Sequence, residues 1–133
     1  MDVSSEAGRL PYILLVEDDE DIQEIFGEIL RSRGHVIVVA TTGAEAWTML
    51  RSAHPPAALI LDRWLPDMTA DDILAKLRDD VALASIGVTV ITGTSGPPPE
   101  LGENVLWLHK PIELSQLTAA VDAMLPGSSS IRD

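Results

Sequence analysis

Five short runs of aliphatic residues recur along the chain, and they constrain its fold more than any other feature. Each run has only four or five residues, and polar side chains rarely interrupt it. That pattern is typical of strands that are buried on both faces of a parallel sheet. The runs are Tyr12–Val16, Val36–Val39, Ala58–Leu61, Val88–Ile91 and Val105–Leu108.

Segments with helical periodicity separate several of these runs. The first predicted helix spans Asp19–Ser32, and Gly34 supplies its stop. Its apolar residues at helical spacing are Ile22, Ile25, Phe26, Ile29 and Leu30. A second helix is predicted after Thr42, which would form a capping box with Glu45.

Two more helices complete the predicted pattern. One follows Thr69, a residue type that favours helix N-caps, and its apolar face comprises Ile73, Leu74 and Leu77. The last runs from about Leu114 to Met124, and the residues expected to point inward are Leu114, Leu117 and Val121. Alternating strands and helices with right-handed crossovers predict a doubly wound α/β fold with helices on both faces of the sheet.

Composition narrows the classes of function. The formal net charge of −12 would repel a nucleic acid, so we expect no direct DNA or RNA binding. The chain contains no cysteine, which excludes disulfides and thiol chemistry and is compatible with a reducing cytoplasm. No apolar run approaches the roughly 20 residues that span a bilayer, and the amino end is not a secretory signal. We therefore expect a cytoplasmic domain without membrane insertion.

Acidic residues lie at the ends of the first and third predicted strands. In doubly wound sheets, binding sites lie at the carboxyl ends of the strands. Glu17 and Asp18 come directly after the first strand, and Asp62 closes the third. If the two strands are neighbours, these carboxylates meet at one edge of the sheet, and such hard oxygen donors suit Mg²⁺. The alternatives are a solvated loop whose acids favour the helix dipole and, for Asp62, a residue that starts a turn.

Polar residues also follow the fourth and fifth predicted strands. Thr92 could donate a hydrogen bond to a phosphoryl oxygen, and Gly93 leaves room beside it. Lys110 would face the carboxylates, although a solvated lysine would give the same sequence. His109 should point away from Lys110 and is interpreted as a structural or surface residue.

Together these elements resemble the receiver domain of two-component response regulators. The resemblance covers about Pro11 to Leu125, and each matching piece follows a predicted strand in the family's order. The pieces are Leu15-Val16-Glu17-Asp18-Asp19, Leu61-Asp62-Arg63-Trp64-Leu65-Pro66, Thr92-Gly93 and His109-Lys110-Pro111.

The resemblance implies a role for each matching residue. Asp62 corresponds to the aspartate that takes a phosphoryl group from a phosphohistidine, assisted by Thr92 and Lys110. Glu17 and Asp18 correspond to the acid pair that binds Mg²⁺ with Asp62. The remaining ligand would be the backbone carbonyl of Trp64. Thr92 and Trp107 stand at the family's switch positions, the second of which is most often Tyr or Phe.

The resemblance further implies a flavodoxin-like five-stranded parallel sheet in the order 2-1-3-4-5. The expected partners are a sensor histidine kinase or histidine phosphotransfer protein and a downstream protein target, with the chain a monomer or weak dimer. We expect no enzyme activity beyond its own phosphorylation and dephosphorylation. The expected organisation is an N-terminal extension at residues 1–10, the receiver domain at 11–125 and a flexible tail at 126–133. Met1 and the polar tail favour a free-standing regulator.

One departure from the family concerns the fourth helix. The stretch between Thr92 and Lys110 is several residues shorter than usual and rich in proline and glycine, so we expect that helix to be short or missing. Two alternative functions stay open from sequence. One is a receiver-like binding module that works without phosphorylation, and the other is a Mg²⁺-dependent hydrolase on a related fold with Asp18 as nucleophile.

Overall fold

The computed structural model describes residues 10–93 and 104–125. It contains a five-stranded sheet of parallel strands in the order β2-β1-β3-β4-β5, which confirms the predicted fold. The strands are β1 Ile13–Val16, β2 Ile37–Ala40, β3 Ala58–Asp62, β4 Gly87–Thr92 and β5 Val105–His109.

Four helices lie within the described residues and cover both faces of the sheet. They are α1 Glu20–Ser32, α2 Gly43–Leu50, α3 Ala70–Arg78 and α4 Leu114–Met124. On one face, α1 and α4 pack through Leu30, Leu117 and Val121 against the side chains of Ile13 and Ile60. On the other face, α2 and α3 pack against the alternate strand residues, such as Leu14, Val16, Leu59 and Leu61. This division follows from the two-residue side-chain period of a strand.

Strand register brings the carboxyl ends of β1 and β3 to the same edge of the sheet. Val16 of β1 lies beside Leu61 of β3, so Glu17 and Asp62 follow at the same level. On its other side, Asp62 lies beside Ile91 of β4. The predicted neighbourhood of the first and third strands is therefore confirmed, and β3 occupies the centre of the sheet.

The helix ends agree largely with the sequence signals. Gly34 has a φ of 96°, the left-handed conformation that glycine adopts readily after a helix. Thr69 caps α3 in a complete capping box with Asp72. The predicted box at α2 is only half correct. Thr42 accepts a hydrogen bond from the Glu45 N–H, but the Glu45 carboxylate turns to the N–H and hydroxyl of Thr41 instead.

Two apolar residues are exposed, one counted in the helical pattern of the first helix and one predicted to point inward in the last. Ile25 and Leu114 keep 52% and 54% of their surface accessible. Ile25 lies at the margin of the apolar stripe of α1, whereas Leu30 occupies its centre. Leu114 is the first residue of α4, and the core contacts of that helix begin one turn later at Leu117.

Some expectations fall on residues outside the described ranges. The short or missing helix between β4 and β5 falls at residues 94–103, and the tail and most of the N-terminal extension fall at 126–133 and 1–9. Over residues 10–93 and 104–125, we find no helix with the length and apolar character needed to cross a bilayer.

The loop between β3 and α3 is fastened to the start of α2. The Asp67 carboxylate accepts hydrogen bonds from the N–H groups of Gly43 and Ala44, at 2.8 and 2.9 Å. A Cβ atom built on Gly43 would overlap the Met68 side chain, so the loop and the helix approach each other more closely than an alanine allows. This contact fixes the loop that leaves the Asp62 end of β3.

We expect Gly43→Ala to destabilise the fold by about 1–3 kcal/mol, because the added methyl group overpacks this contact. Chemical denaturation measures the change in unfolding free energy. Gly93→Ala is the matched control, since among the described residues a Cβ there would meet only the Lys110 Cδ, at 4.0 Å. Adding Met68→Ala to the Gly43 variant should recover part of the loss, and equal stability of the Gly43 and Gly93 variants would contradict the prediction.

Candidate functional site

Three acidic residues meet at the carboxyl edge of the sheet. Single carboxylate oxygens of Glu17, Asp18 and Asp62 all lie within 4.8 Å of one another. Glu17 and Asp62 are buried, whereas Asp18 is exposed. The structure therefore brings together the acids that the sequence placed after the first and third strands, with one side of the cluster open to solvent.

Local hydrogen bonds position Glu17 within this cluster. Its N–H donates to the Ala40 carbonyl at 3.0 Å, which extends the pairing of β1 with β2 by one residue. Its own carbonyl accepts a hydrogen bond from the Gln23 side chain at 2.6 Å, and its carboxylate accepts one from the Asp19 N–H at 3.1 Å. The first turn of α1 thus helps to hold the Glu17 carboxylate in place.

Burial and mutual repulsion make the ionised acids unfavourable. Burial, followed by the Asp62 carboxylate, raises the pKa of Glu17 to about 7. Burial also raises the pKa of Asp62, where the Lys110 ammonium opposes the shift and Asp18 adds to it. A cation in the cluster would favour the ionised acids and so oppose the burial and the repulsion that raise these pKa values.

Lys110 supplies positive charge beside Asp62. Its Nζ lies 3.4 Å from Asp62 Oδ1, and its side chain remains partly exposed. The backbone N–H of Lys110 donates to the Thr92 carbonyl at 2.8 Å, and this hydrogen bond joins the end of β4 to the residue that follows β5. Thr92 is buried, one residue beyond Ile91, the neighbour of Asp62 on β4. His109 is exposed, in agreement with its interpretation as a surface residue.

Trp64 follows Asp62 by two residues and lies in the loop that Asp67 fastens. It pairs with Thr69 in an isolated antiparallel bridge, and the Leu65 N–H donates to the Met68 carbonyl at 3.1 Å. These hydrogen bonds fix the backbone conformation around Trp64. The indole ring is 54% exposed.

The contacts of Arg63 could not be predicted from the sequence, where the residue appeared only within the piece from Leu61 to Pro66. The Arg63 Cζ lies 5.3 Å from the ring centroid of Trp64 and 5.2 Å from that of Trp107. Its guanidinium also bonds the Asp71 carboxylate. No local signal reveals the contact with Trp107, because only the sheet brings β5 near the end of β3.

The acidic cluster fits a small divalent cation. Its donors are carboxylate oxygens, which Mg²⁺ prefers together with carbonyl oxygens and water. The raised pKa of Glu17 shows that burial and the neighbouring Asp62 carboxylate disfavour its ionised form more than Lys110 favours it. Such a site can bind a cation and, beside Lys110, a group with anionic oxygens.

Comparison with known proteins identifies the family of the chain. The family model described as "Response regulator receiver domain" matches residues 13–122. The "Two-component response regulator ORR11" of Oryza sativa subsp. indica is 26% identical over 125 residues, which cover 90% of this chain and 84% of that protein. The "Sensor histidine kinase TmoS" of Ectopseudomonas mendocina is 33% identical over 122 residues, which cover 86% of this chain but only 12% of that protein.

A solved structure agrees with the sequence matches. The signal receiver domain of a signal transduction histidine kinase from Syntrophus aciditrophicus superposes with a TM-score of 0.80 at 28% identity, covering 88% of this chain and 91% of that one. Receiver domains are signalling domains that generally bind Mg²⁺ and interact with histidine kinases and downstream targets. On the match of the family model, the site geometry and the fold, this chain belongs to the response regulator receiver domain family.

Proposed function

We propose that the chain accepts a phosphoryl group on Asp62 from a phosphohistidine of a sensor histidine kinase or a histidine phosphotransfer protein. The observation that carries the proposal is the position of Asp62. Its carboxylate is buried in a cluster with two further acids and lies 3.4 Å from the Lys110 ammonium. This arrangement combines a nucleophile, a site for a cation and a fixed positive charge.

The proposed transfer needs no separate general base. A carboxylate oxygen of Asp62 attacks the phosphorus atom, the bond from phosphorus to the donor's imidazole nitrogen breaks, and its electron pair stays on the imidazole. The Lys110 ammonium and the Thr92 hydroxyl bind oxygens of the transferred group, which is the electrostatic stabilisation that phosphoryl transfer requires. Glu17, Asp18, Asp62 and the backbone carbonyl of Trp64 would hold Mg²⁺. When bound, Mg²⁺ neutralises charge on the phosphoryl oxygens.

The proposal includes the output of the domain. Thr92 and Trp107 act as the switch residues, and the signal passes to a protein target by direct contact, with the receiver domain at residues 11–125 as a monomer or weak dimer. The net charge of −12 supports a protein target over a nucleic acid. A cytoplasmic location is part of the proposal, and a sequence without cysteine is compatible with that reducing compartment.

Asp62→Asn should abolish phosphorylation by acetyl phosphate with Mg²⁺, because the amide keeps the shape of the side chain but loses the nucleophilic charge. Intact mass spectrometry measures the gain of one phosphoryl group. Asp79→Asn is the matched control, since Asp79 is exposed at the end of α3. Full labelling of the Asp62→Asn protein at another residue would refute the site. An unlabelled parent would favour the non-phosphorylated binding module.

Mg²⁺ should stabilise the protein, by about 1.4 kcal/mol at ten times its dissociation constant. Asp18→Ala should remove most of this gain, because the cluster loses its solvent-exposed carboxylate. Thermal denaturation with and without Mg²⁺ measures the effect. Glu20→Ala is the control, because it removes the same charge from a residue in the first turn of α1 that does not belong to the cluster of Glu17, Asp18 and Asp62. An undiminished response of the Asp18 variant would exclude Asp18 as a principal ligand.

The metal-free protein should lose stability as the pH rises from about 4.5 to about 7. The pKa of Glu17 is about 7 in the folded state against 4.5 ordinarily, so in this window the folded state binds more protons than the unfolded state. The unfolding free energy should fall by about 3 kcal/mol across this window, because each pKa unit corresponds to about 1.4 kcal/mol. Denaturation at a series of pH values in EDTA measures the slope.

Glu17→Gln should flatten this pH dependence, because the amide does not titrate. Saturating Mg²⁺ should flatten it in the parent as well, since a cation favours the ionised acid. An equally steep slope in the Gln variant would show that another group is responsible.

A further inference from the structure

The Arg63 guanidinium lies between two indole rings that come from different parts of the fold. Its Cζ is 5.3 Å from the ring centroid of Trp64, the next residue, and 5.2 Å from that of Trp107 on β5. Both distances fall within the range of cation–π attraction. Because β4 separates β3 from β5, the arginine side chain must cross one intervening strand to reach Trp107.

Sheet register explains how this crossing occurs. Leu61, Val90 and Trp107 form one row across β3, β4 and β5. Arg63 follows Leu61 by two residues and so lies on the same face of the sheet, the face covered by α2 and α3. Trp107 packs on that face against the core. The guanidinium therefore meets Trp107 at the margin of the core.

A carboxylate from α3 fixes the guanidinium in this position. The Nε and Nη2 atoms of Arg63 each lie 3.1 Å from an oxygen of Asp71, which is the two-bond geometry that arginine forms with carboxylates. Only 17% of the Arg63 side chain is exposed. A cation that is both largely buried and doubly bonded has few alternative positions, so its contact with the two rings is a defined one.

The backbone of Arg63 is held as firmly as its side chain. Its N–H donates to the Ile91 carbonyl at 2.9 Å, and its carbonyl accepts from the Ala70 N–H at 2.8 Å. Arg63 thus contacts β4, the first turn of α3 and β5, and it directly follows Asp62. Arg63 therefore connects Asp62 to all three elements.

We propose that Arg63 is a positioning residue that couples the chemical state of Asp62 to the ring of Trp107. This inference rests on the proposed function of Asp62. In the unmodified protein the guanidinium holds the Trp107 ring against the sheet. Phosphorylation adds negative charge beside Arg63 and beside Lys110, which follows the end of β5, and so changes the attraction that keeps the guanidinium between Asp71 and the two rings.

¹⁹F NMR of protein labelled with 5-fluorotryptophan tests the coupling. The chain has three tryptophans, so each resonance can be assigned by a single Trp→Phe substitution. Spectra are recorded before and after phosphorylation with acetyl phosphate and Mg²⁺, and intact mass measures the labelling of the same samples. In the parent, we expect the Trp107 resonance to move on phosphorylation and the Trp47 resonance to stay.

In Arg63→Gln, the Trp107 resonance of the unmodified protein should already be displaced, and its further shift on phosphorylation should be at least halved. Labelling of Asp62 should persist, because Arg63 lies outside the proposed machinery of transfer. Arg63→Lys should fall between the parent and the Gln variant, since an ammonium keeps the charge but cannot bond Asp71 in the same fork.

The chain offers a matched control in a contact between another arginine and another tryptophan. The Arg51 Cζ lies 5.8 Å from the ring centroid of Trp47. Arg51→Gln removes the same chemical group from the same kind of ring, so it should move the Trp47 resonance and leave the Trp107 response at the parent value. If Arg63→Gln does not fold, Asp71→Asn takes its place, because it removes the carboxylate that fixes the guanidinium.

The outcomes separate this inference from the proposed function. A labelled Arg63→Gln protein with the full parental shift of Trp107 would overturn the coupling and leave phosphorylation of Asp62 intact. A reduced Trp107 shift in the Arg51 variant as well would also overturn it, because the effect would then be a general one. A parent that gains no phosphoryl group would overturn the proposed function, and the coupling with it.

Discussion

Burial of two mutually repelling carboxylates at the carboxyl edge of the sheet is the constraint on which the rest of the site depends. The sheet is stable because its aliphatic strands are covered on both faces, yet the same burial raises the pKa of Glu17 and Asp62. Lys110 offsets only part of this charge. Burial of the aliphatic core therefore offsets the free-energy cost of burying the acids. The remaining negative charge favours a cation at this edge.

Much of the fold could be predicted because the apolar runs, the helical periodicity and the capping residues all indicated the same structure. The five apolar runs became five strands, and threonine and glycine signals marked helix ends at Thr69 and Gly34. The errors arose where one residue had two options. Glu45 could bond the N–H of either Thr42 or Thr41, and helical spacing could not tell that Leu114 lies one turn before the core contacts of α4 begin.

The site was predictable for a related reason. Parallel strands end at one edge, so residues at the carboxyl ends of strands come together once the strand order is that of a doubly wound sheet, as Glu17, Asp62 and Lys110 do. The contact between Arg63 and Trp107 follows a different logic. It depends on the strand order, the register across β4 and the reach of the arginine side chain. The sequence around Arg63 does not show the strand order or the register.

Consecutive residues at the end of β3 face different surroundings, and the two-residue period of the strand is the reason. Ala58 and Ile60 pack with α1 and α4, whereas Leu59 and Leu61 pack with α2 and α3. Arg63 continues the second set and meets Asp71 and Trp107, while Asp62 remains with the acids at the edge. A change of charge at Asp62 would therefore occur next to Arg63, whose guanidinium lies on the opposite face of the sheet. One peptide bond thus joins the acidic edge to the packing beneath α3.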